Sequence, residues 1–194
     1  MFYIGANVGV YSEIFASLGA HVVAVELLPE NVAILQRCAY KDRVRVVQAA
    51  AEPHVGTGSI RRAQSNWGAS MSREWIDFAD AYHQTKGLPT TWLDESEVPT
   101  TTLNALSQTY RAPDFIKIDV EGYEESVLDG PILAEFNLLM LHPGATVPGE
   151  ADFQPRFRMQ LRRREPQRCV LDAWTNMGSV LCYIIASRPG RCPR

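Results

Sequence analysis

Residues 2–9, Phe2-Tyr3-Ile4-Gly5-Ala6-Asn7-Val8-Gly9, decide how the rest of the chain is read. An apolar triplet enters a turn bounded by glycines, after which Val10, Ile14, Phe15 and Leu18 recur at helical spacing until Gly19. That is a strand, a tight loop and a helix. Further on, His21-Val22-Val23-Ala24-Val25 is a continuous β-rich run closing on Glu26, as expected of a parallel strand covered on both faces. Pro29 suits the first turn of a helix reaching to about Tyr40, with Val32, Leu35 and Ala39 on one face. Val44 to Ala49 is a third strand. The order β-α-β-α-β predicts an α/β fold: a Rossmann-like, doubly wound, mostly parallel sheet with helices on both faces.

Past this start the pattern is less regular. Residues 53–72 are rich in Gly, Ser and Asn and read as a loop, with a short strand near Ser59–Arg62. Residues 73–86 place Trp75, Phe78, Ala79 and Tyr82 at helical spacing, and 87–102 read as a Pro/Thr-rich connection. Leu103–Tyr110 is a short helix and Phe115–Val120 a fourth strand. Glu124–Asp129 starts a helix stopped by Gly130-Pro131, and a fifth strand falls within Ile132–Leu141. Cys169–Leu171 and Val180–Ala186 are the only further elements expected, and no internal repeat is visible.

With 194 residues, 46% of them apolar, the chain can bury a core as one domain plus an appendage. The net charge of −3 is unevenly spread: residues 1–150 hold 10 Lys and Arg against 19 Asp and Glu, whereas 151–194 hold 9 against 3. Residues 1–150 are therefore expected to form the ligand-binding domain, and 151–194 a basic C-terminal appendage completing the sheet edge. An acidic body does not suit a nucleic-acid binder. The four cysteines form no C-x-x-C pair and, with four scattered histidines, no metal-ligand spacing; they read as reduced thiols of a cytoplasmic protein. Met1 to Val25 carries one formal charge, Glu13, inside the apolar stretch and has no positive leader, which argues against a signal peptide or anchor. No apolar run reaches the length of about 18 residues that a membrane span needs.

In an open α/β sheet, ligands bind beyond the carboxyl ends of the strands, where strand order reverses. Gly5 and Gly9 let the loop turn sharply there, and the following helix offers N–H groups and a positive dipole end. Glu26 stands where a carboxylate can accept from both hydroxyls of a ribose. Together these point to a nucleoside-bearing ligand. A dinucleotide fingerprint counted from Gly5 would need glycine at 7 and 10, but Asn7 and Val10 are present. The loop suits S-adenosylmethionine, which has no phosphates to cradle.

Four segments carry a resemblance: Ile4-Gly5-Ala6-Asn7-Val8-Gly9 with Tyr11-Ser12; Val23-Ala24-Val25-Glu26 with Pro29 and Asn31; Thr101-Thr102-Leu103; and Asp114-Phe115-Ile116-Lys117-Ile118-Asp119-Val120-Glu121-Gly122-Tyr123-Glu124. In these the chain resembles the FkbM-type methyltransferases of the class I S-adenosylmethionine-dependent fold, over about residues 2–140. Gly68-Ala69-Ser70-Met71-Ser72 is similar to a looser form of that family's Gly/Ser loop. The resemblance implies that Gly5, Asn7 and Gly9 line the methionine end of the cofactor, that Glu26 holds the ribose, and that Ala50 to Glu52 lie by the adenine. It also implies methyl transfer to a hydroxyl oxygen of a small molecule or glycan. Two departures stand out: Tyr3 takes the place of an acid usual two residues before Gly5, and the chain begins almost on its first strand.

A sulfonium is already an activated methyl donor, so the protein must chiefly align the acceptor oxygen and take its proton. If strand geometry persists, Lys117, Asp119 and Glu121 share one side. Asp119 is then expected at the cofactor's ammonium or methyl region, and Glu121 as base or acceptor-positioning group. Lys117 would orient a neighbouring carboxylate or favour its ionised form. A plainer reading makes Glu121-Gly122 a cap for the next helix and Lys117–Asp119 a structural ion pair. His83 and His142 are alternative bases or simply surface histidines. Trp67, Trp75 and Trp92 either wall a sugar pocket or pack, and Arg162-Arg163-Arg164 either grips an acidic acceptor or is a solvated helix face. The rival readings are a non-catalytic remnant of the fold and a nicotinamide-dependent oxidoreductase.

Overall fold

The computed structural model describes residues 1–64, 69–87, 91–129, 138–141, 169–171 and 183–186. The chain opens as expected: β1 (Phe2–Ile4), α1 (Val10–Ser17), β2 (Val22–Glu26), α2 (Pro29–Leu35) and β3 (Val44–Gln48). Then come β4 (Ala50–Ala51), β5 (Gly56–Arg62), β6 (Ala69–Ser70), α3 (Arg73–Thr85), β7 (Ser96–Thr101), α4 (Leu103–Tyr110), β8 (Phe115–Ile118) and α5 (Glu124–Asp129). β9 (Leu138–Leu141), β10 (Cys169–Leu171) and β11 (Tyr183–Ala186) follow.

The main sheet runs β10-β11-β9-β8-β1-β2-β3. From β3 to β9 every neighbouring pair is parallel, while β11 is antiparallel to both β9 and β10. The strand order reverses beside β1, whose neighbours are β2 and β8. The expected boundary at residue 150 lies outside the described residues.

Alternation along the central strands makes two cores, one on each face. Phe2, Ile4, Val23, Val25, Ile116 and Ile118 pack with Leu103 and Leu106 of α4 and Val127 and Leu128 of α5. Tyr3, Val22, Ala24 and Val44 pack with Ala16 of α1 and Leu35 of α2. This is the doubly wound architecture the first fifty residues imply.

Three local expectations are corrected. α2 stops at Leu35 instead of continuing to Tyr40, because Arg37 N–H tightens onto the Ile34 carbonyl and Ala39 N–H donates to Glu13 of α1. The short strand expected near Ser59–Arg62 is present but begins earlier, as β5, the rest of the expected loop at 53–72 also holds β6, and the Pro/Thr-rich connection holds β7. These form a second sheet, β4-β7-β5-β6, in which β7 pairs parallel to β4 and antiparallel to β5. Its glycines and Pro99 hide any apolar alternation; cross-strand pairing from Gly56↔Thr100 to Ile60↔Ser96 builds it instead. Arg62 ties this sheet to α2 through a 2.6 Å ion pair with Glu30. Thirdly, β8 ends at Ile118, two residues early.

Among the described residues no helix is long and apolar enough to cross a membrane, and no cluster of His, Cys, Asp and Glu could hold a metal ion.

Candidate functional site

Gly5 leaves β1 with φ +77°, and its N–H and that of Ala6 both donate to the Val25 carbonyl, at 3.0 and 2.9 Å. The backbone then passes so close to β8 that a Cβ on Gly5 would sit 1.8 Å from the Asp119 carbonyl oxygen. Asn7 is also left-handed, at φ +50°, a region that asparagine tolerates through local hydrogen bonds. Here its Oδ1 accepts the Val8 N–H at 2.6 Å. Gly9, at φ +93°, begins α1 with no side-chain cap, so the helix end presents backbone N–H groups.

Glu26 locks this loop. Its Oε2 accepts the Asn7 N–H at 2.7 Å, and its Oε1 accepts the Leu28 N–H at 2.8 Å and Asn31 Nδ2 at 3.4 Å. The residue is buried, and burial raises its pKa, opposed by the hydrogen bonds from Leu28, Asn7 and Asn31. A carboxylate has about four acceptor positions. Three are taken by these bonds and the Leu27 N–H also bears on the carboxylate, so the two positions that both hydroxyls of a ribose would need are not left open.

Across the loop, Asp119 N–H donates to the Ile4 carbonyl at 3.0 Å, and Asp119 Oδ2 accepts from Lys117 Nζ at 2.7 Å. The Lys117 side chain is 2% exposed, against 21% for Asp119. Its ammonium lies 4.6 Å from the Tyr3 ring centre and 4.8 Å from that of Tyr11, inside an aromatic cage. Burial, and then the Asp119 charge, push the Tyr3 hydroxyl far upward, so it stays a neutral phenol. Because Lys117 is the more deeply buried partner, Asp119→Asn should destabilise the fold more than Lys117→Met. About 3–5 kcal/mol is expected for the first, and about 1–3 kcal/mol for the second. Urea unfolding of the two variants checks the order.

Beyond Asp119 the strand geometry does not persist. Glu121 and Gly122 are both left-handed, at φ +54° and +86°, so the expected alternation of Lys117, Asp119 and Glu121 stops at Asp119. Glu121 reaches the cleft by this turn. Glu124 holds this turn: its Oε1 accepts the Val120 N–H at 3.0 Å and the Gly122 N–H at 3.4 Å.

One cleft of about 310 Å³ is lined by Gly5, Asn7, Gly9, Glu26, Ala50, Asp119 and Glu121. Lys117 does not line it but lies behind Asp119. Glu52, expected by the adenine, is also not in the lining; its Oε1 accepts from the Tyr123 hydroxyl at 3.3 Å. Trp75 and Trp92 pack edge to face at 6.3 Å and do not line the cleft, and neither does His83. Trp67, His142 and Arg162-Arg163-Arg164 lie outside the described residues. Sequence reasoning missed Tyr11, Ser70 and Met71 as cleft residues; the Gly/Ser loop at 68–72 was the one signal toward the last two.

The profile of the methyltransferase FkbM domain matches residues 4–163. The chain belongs to the FkbM methyltransferase family. Among solved structures it is similar to the methyltransferase FkbM from Methylobacillus flagellatus KT, with a TM-score of 0.56 and 15% identity over 96% of this chain. The chain spans 42% of that protein's length. An O-methyltransferase from Bacillus cereus, solved in complex with SAH, aligns at a TM-score of 0.48 and 18% identity, covering 95% of this chain and 71% of the other. No curated protein matches. The family match and the shared fold agree with the doubly wound sheet described above.

Proposed function

We propose that the chain is an S-adenosylmethionine-dependent O-methyltransferase acting on a hydroxyl of a small molecule or glycan in the cytoplasm. In this reading residues 1–150 form the cofactor domain and 151–194 an appendage that completes the sheet edge. The observation that carries it is the convergence of the glycine loop, Glu26, Asp119 and Glu121 on one cleft at the strand-order reversal.

The residues fit the cofactor. The cleft volume lies at the lower end of the range of about 300–1,000 Å³ usual for small-molecule sites. Val25, Leu27, Leu28, Ala49, Ala50 and Ile60 give apolar walls for an adenine, and Glu26 lines the same cleft where the ribose would lie. The uncapped start of α1 suits a carboxylate and Asp119 an ammonium, so both ends of an amino acid find a partner.

Bound S-adenosylmethionine would supply an activated sulfonium methyl for transfer to the acceptor oxygen. Glu121 takes the hydroxyl proton of the acceptor, or holds that hydroxyl in line. Asp119, held by Lys117, fixes the amino end of the ligand, and the glycine loop and Glu26 set its axis. Mutual orientation is the main contribution such a site makes.

The test is S-adenosylhomocysteine release from S-adenosylmethionine across a panel of sugar and small-molecule hydroxyls. Wild type should turn over at least one class, and Glu121→Gln should cut kcat by roughly 10²-fold or more, the scale of general-base catalysis. Cofactor binding without turnover on any acceptor would favour the rival reading of a non-catalytic remnant, toward which the buried, neutral Tyr3 points. Tight NADH binding would favour an oxidoreductase.

A further inference from the structure

We propose that Ser70 is a positioning residue for Glu121, and that β6 and the first turn of α3 brace the Glu121–Gly122 turn at the acceptor end of the cleft; this rests on the functional reading above. Two consecutive left-handed residues are an uncommon way to leave a strand, and the first is not glycine. A non-glycine residue held there is strained, and it persists only where its surroundings over-determine it.

The surroundings come from a distant part of the chain. Ser70 Oγ donates to the Glu121 carbonyl at 2.9 Å, across 51 residues of sequence. The same oxygen accepts the Ser72 N–H at 3.0 Å. A hydroxyl has one proton. With the Ser72 N–H donating into it, the Ser70 proton is directed at Glu121, and at 2% exposure no solvent competes.

Trp75, in the first turn of α3, closes the other side: a Cβ on Gly122 would lie 2.6 Å from Trp75 Cδ1, so only glycine passes beneath the indole. Ser72 caps the same helix through the Trp75 N–H at 3.2 Å, which makes Ser70, Ser72 and Trp75 one unit. Glu124 holds the turn from its far side through Val120 and Gly122.

None of these bonds involves Gly5, Asn7, Gly9 or Glu26, whose own hydrogen bonds run among β1, β2, their loops, Glu13 of α1, Asn31 of α2 and Ala49. Ser70 and Met71 nevertheless line the cleft beside Glu121. The brace therefore acts first on the acceptor end of the site, with no hydrogen bond of its own to the ribose and loop anchors.

Ser70→Ala and Ser70→Thr in the full chain test this by three readouts: calorimetric affinity for S-adenosylhomocysteine, amide exchange over residues 119–124, and kcat against KM with a hydroxyl acceptor that wild type methylates. Ser70→Ala should speed exchange and lower kcat by about tenfold or more, the scale of one buried hydrogen bond, while affinity and the KM for S-adenosylmethionine stay within about threefold. Ser70→Thr, which keeps the hydroxyl, should recover both. Should the alanine variant not fold, the nearly isosteric and weakly donating Ser70→Cys reads the same quantities. Unchanged exchange, an unchanged kcat despite faster exchange, or affinity falling in step with exchange would each overturn the proposal. Wild type failing to bind S-adenosylhomocysteine would instead overturn the functional reading, while the exchange readout still decides whether Ser70 holds the turn.

Discussion

Gly5→Val is expected to abolish S-adenosylhomocysteine binding. At φ +77° any side chain is strained, at about 1–3 kcal/mol. The larger effect is contact: a Cβ would stand 1.8 Å from the Asp119 carbonyl oxygen and 2.8 Å from its carbon, both of them backbone. Neither side can yield cheaply. Gly5 and Ala6 are bonded to Val25, and Asp119 is bonded to Ile4, so relief of the clash must break the join between β1 and β8 or lift the loop off β2. Both displace groups that line the cleft. Calorimetry should show at least about a hundredfold loss, equivalent to about 2.7 kcal/mol. Gly87→Ala is the control, since Gly87 also has positive φ but nothing within 4 Å of its would-be Cβ. It should cost about 1 kcal/mol of stability and leave binding intact.

Glu26→Ala should have the second-largest effect. It strips the acceptor from the Asn7 and Leu28 N–H groups and from Asn31, which is itself buried. Each buried donor left unpaired costs about 1–3 kcal/mol, so the loop should lose its anchor and affinity should fall by about a hundredfold or more. Glu26→Gln keeps one acceptor oxygen but turns an N–H group toward one of the three donors, so a loss nearer tenfold is expected.

The pH dependence has a definite sign. Burial raises the Glu26 pKa above its ordinary 4.5, so in the window just above that value the folded chain binds the proton more tightly than the unfolded one. As pH falls through this window, the contribution of Glu26 to stability rises, because the cost of burying its charge is relieved. Affinity for S-adenosylhomocysteine falls over the same range, because the ionised acceptor is lost. Glu26→Gln should flatten both trends. Urea unfolding and calorimetry in one pH series check the pair of slopes.

The parts of the fold that were legible in the sequence are those where burial alone decides the residues. Val22–Val25 and Phe115–Ile118 are covered on both faces and read as unbroken apolar runs, except for Lys117, whose charge is met by Asp119 and two tyrosine rings. β5 was legible only at its end, near Ser59–Arg62, and β7 not at all. Gly56, Gly58 and Pro99 carry no strand signal, and the sheet forms because each strand finds its partner some forty residues away in the chain. The same contrast runs through the site. Gly5, Asn7, Gly9 and Glu26 announce themselves by spacing within one βαβ unit. Glu121 was named for an alternation that ends two residues earlier, and its support from Ser70 depends on a long-range contact that no local pattern encodes. The place of Tyr11 over Lys117 depends on a long-range contact in the same way, since by its spacing it is one more residue of α1.

Calorimetric titration of the wild-type chain with S-adenosylhomocysteine tests the central claim most directly. Saturable binding of one ligand per chain is predicted, lost in Gly5→Val and weakened in Glu26→Ala. No binding at millimolar ligand would contradict the assignment of this cleft to the cofactor.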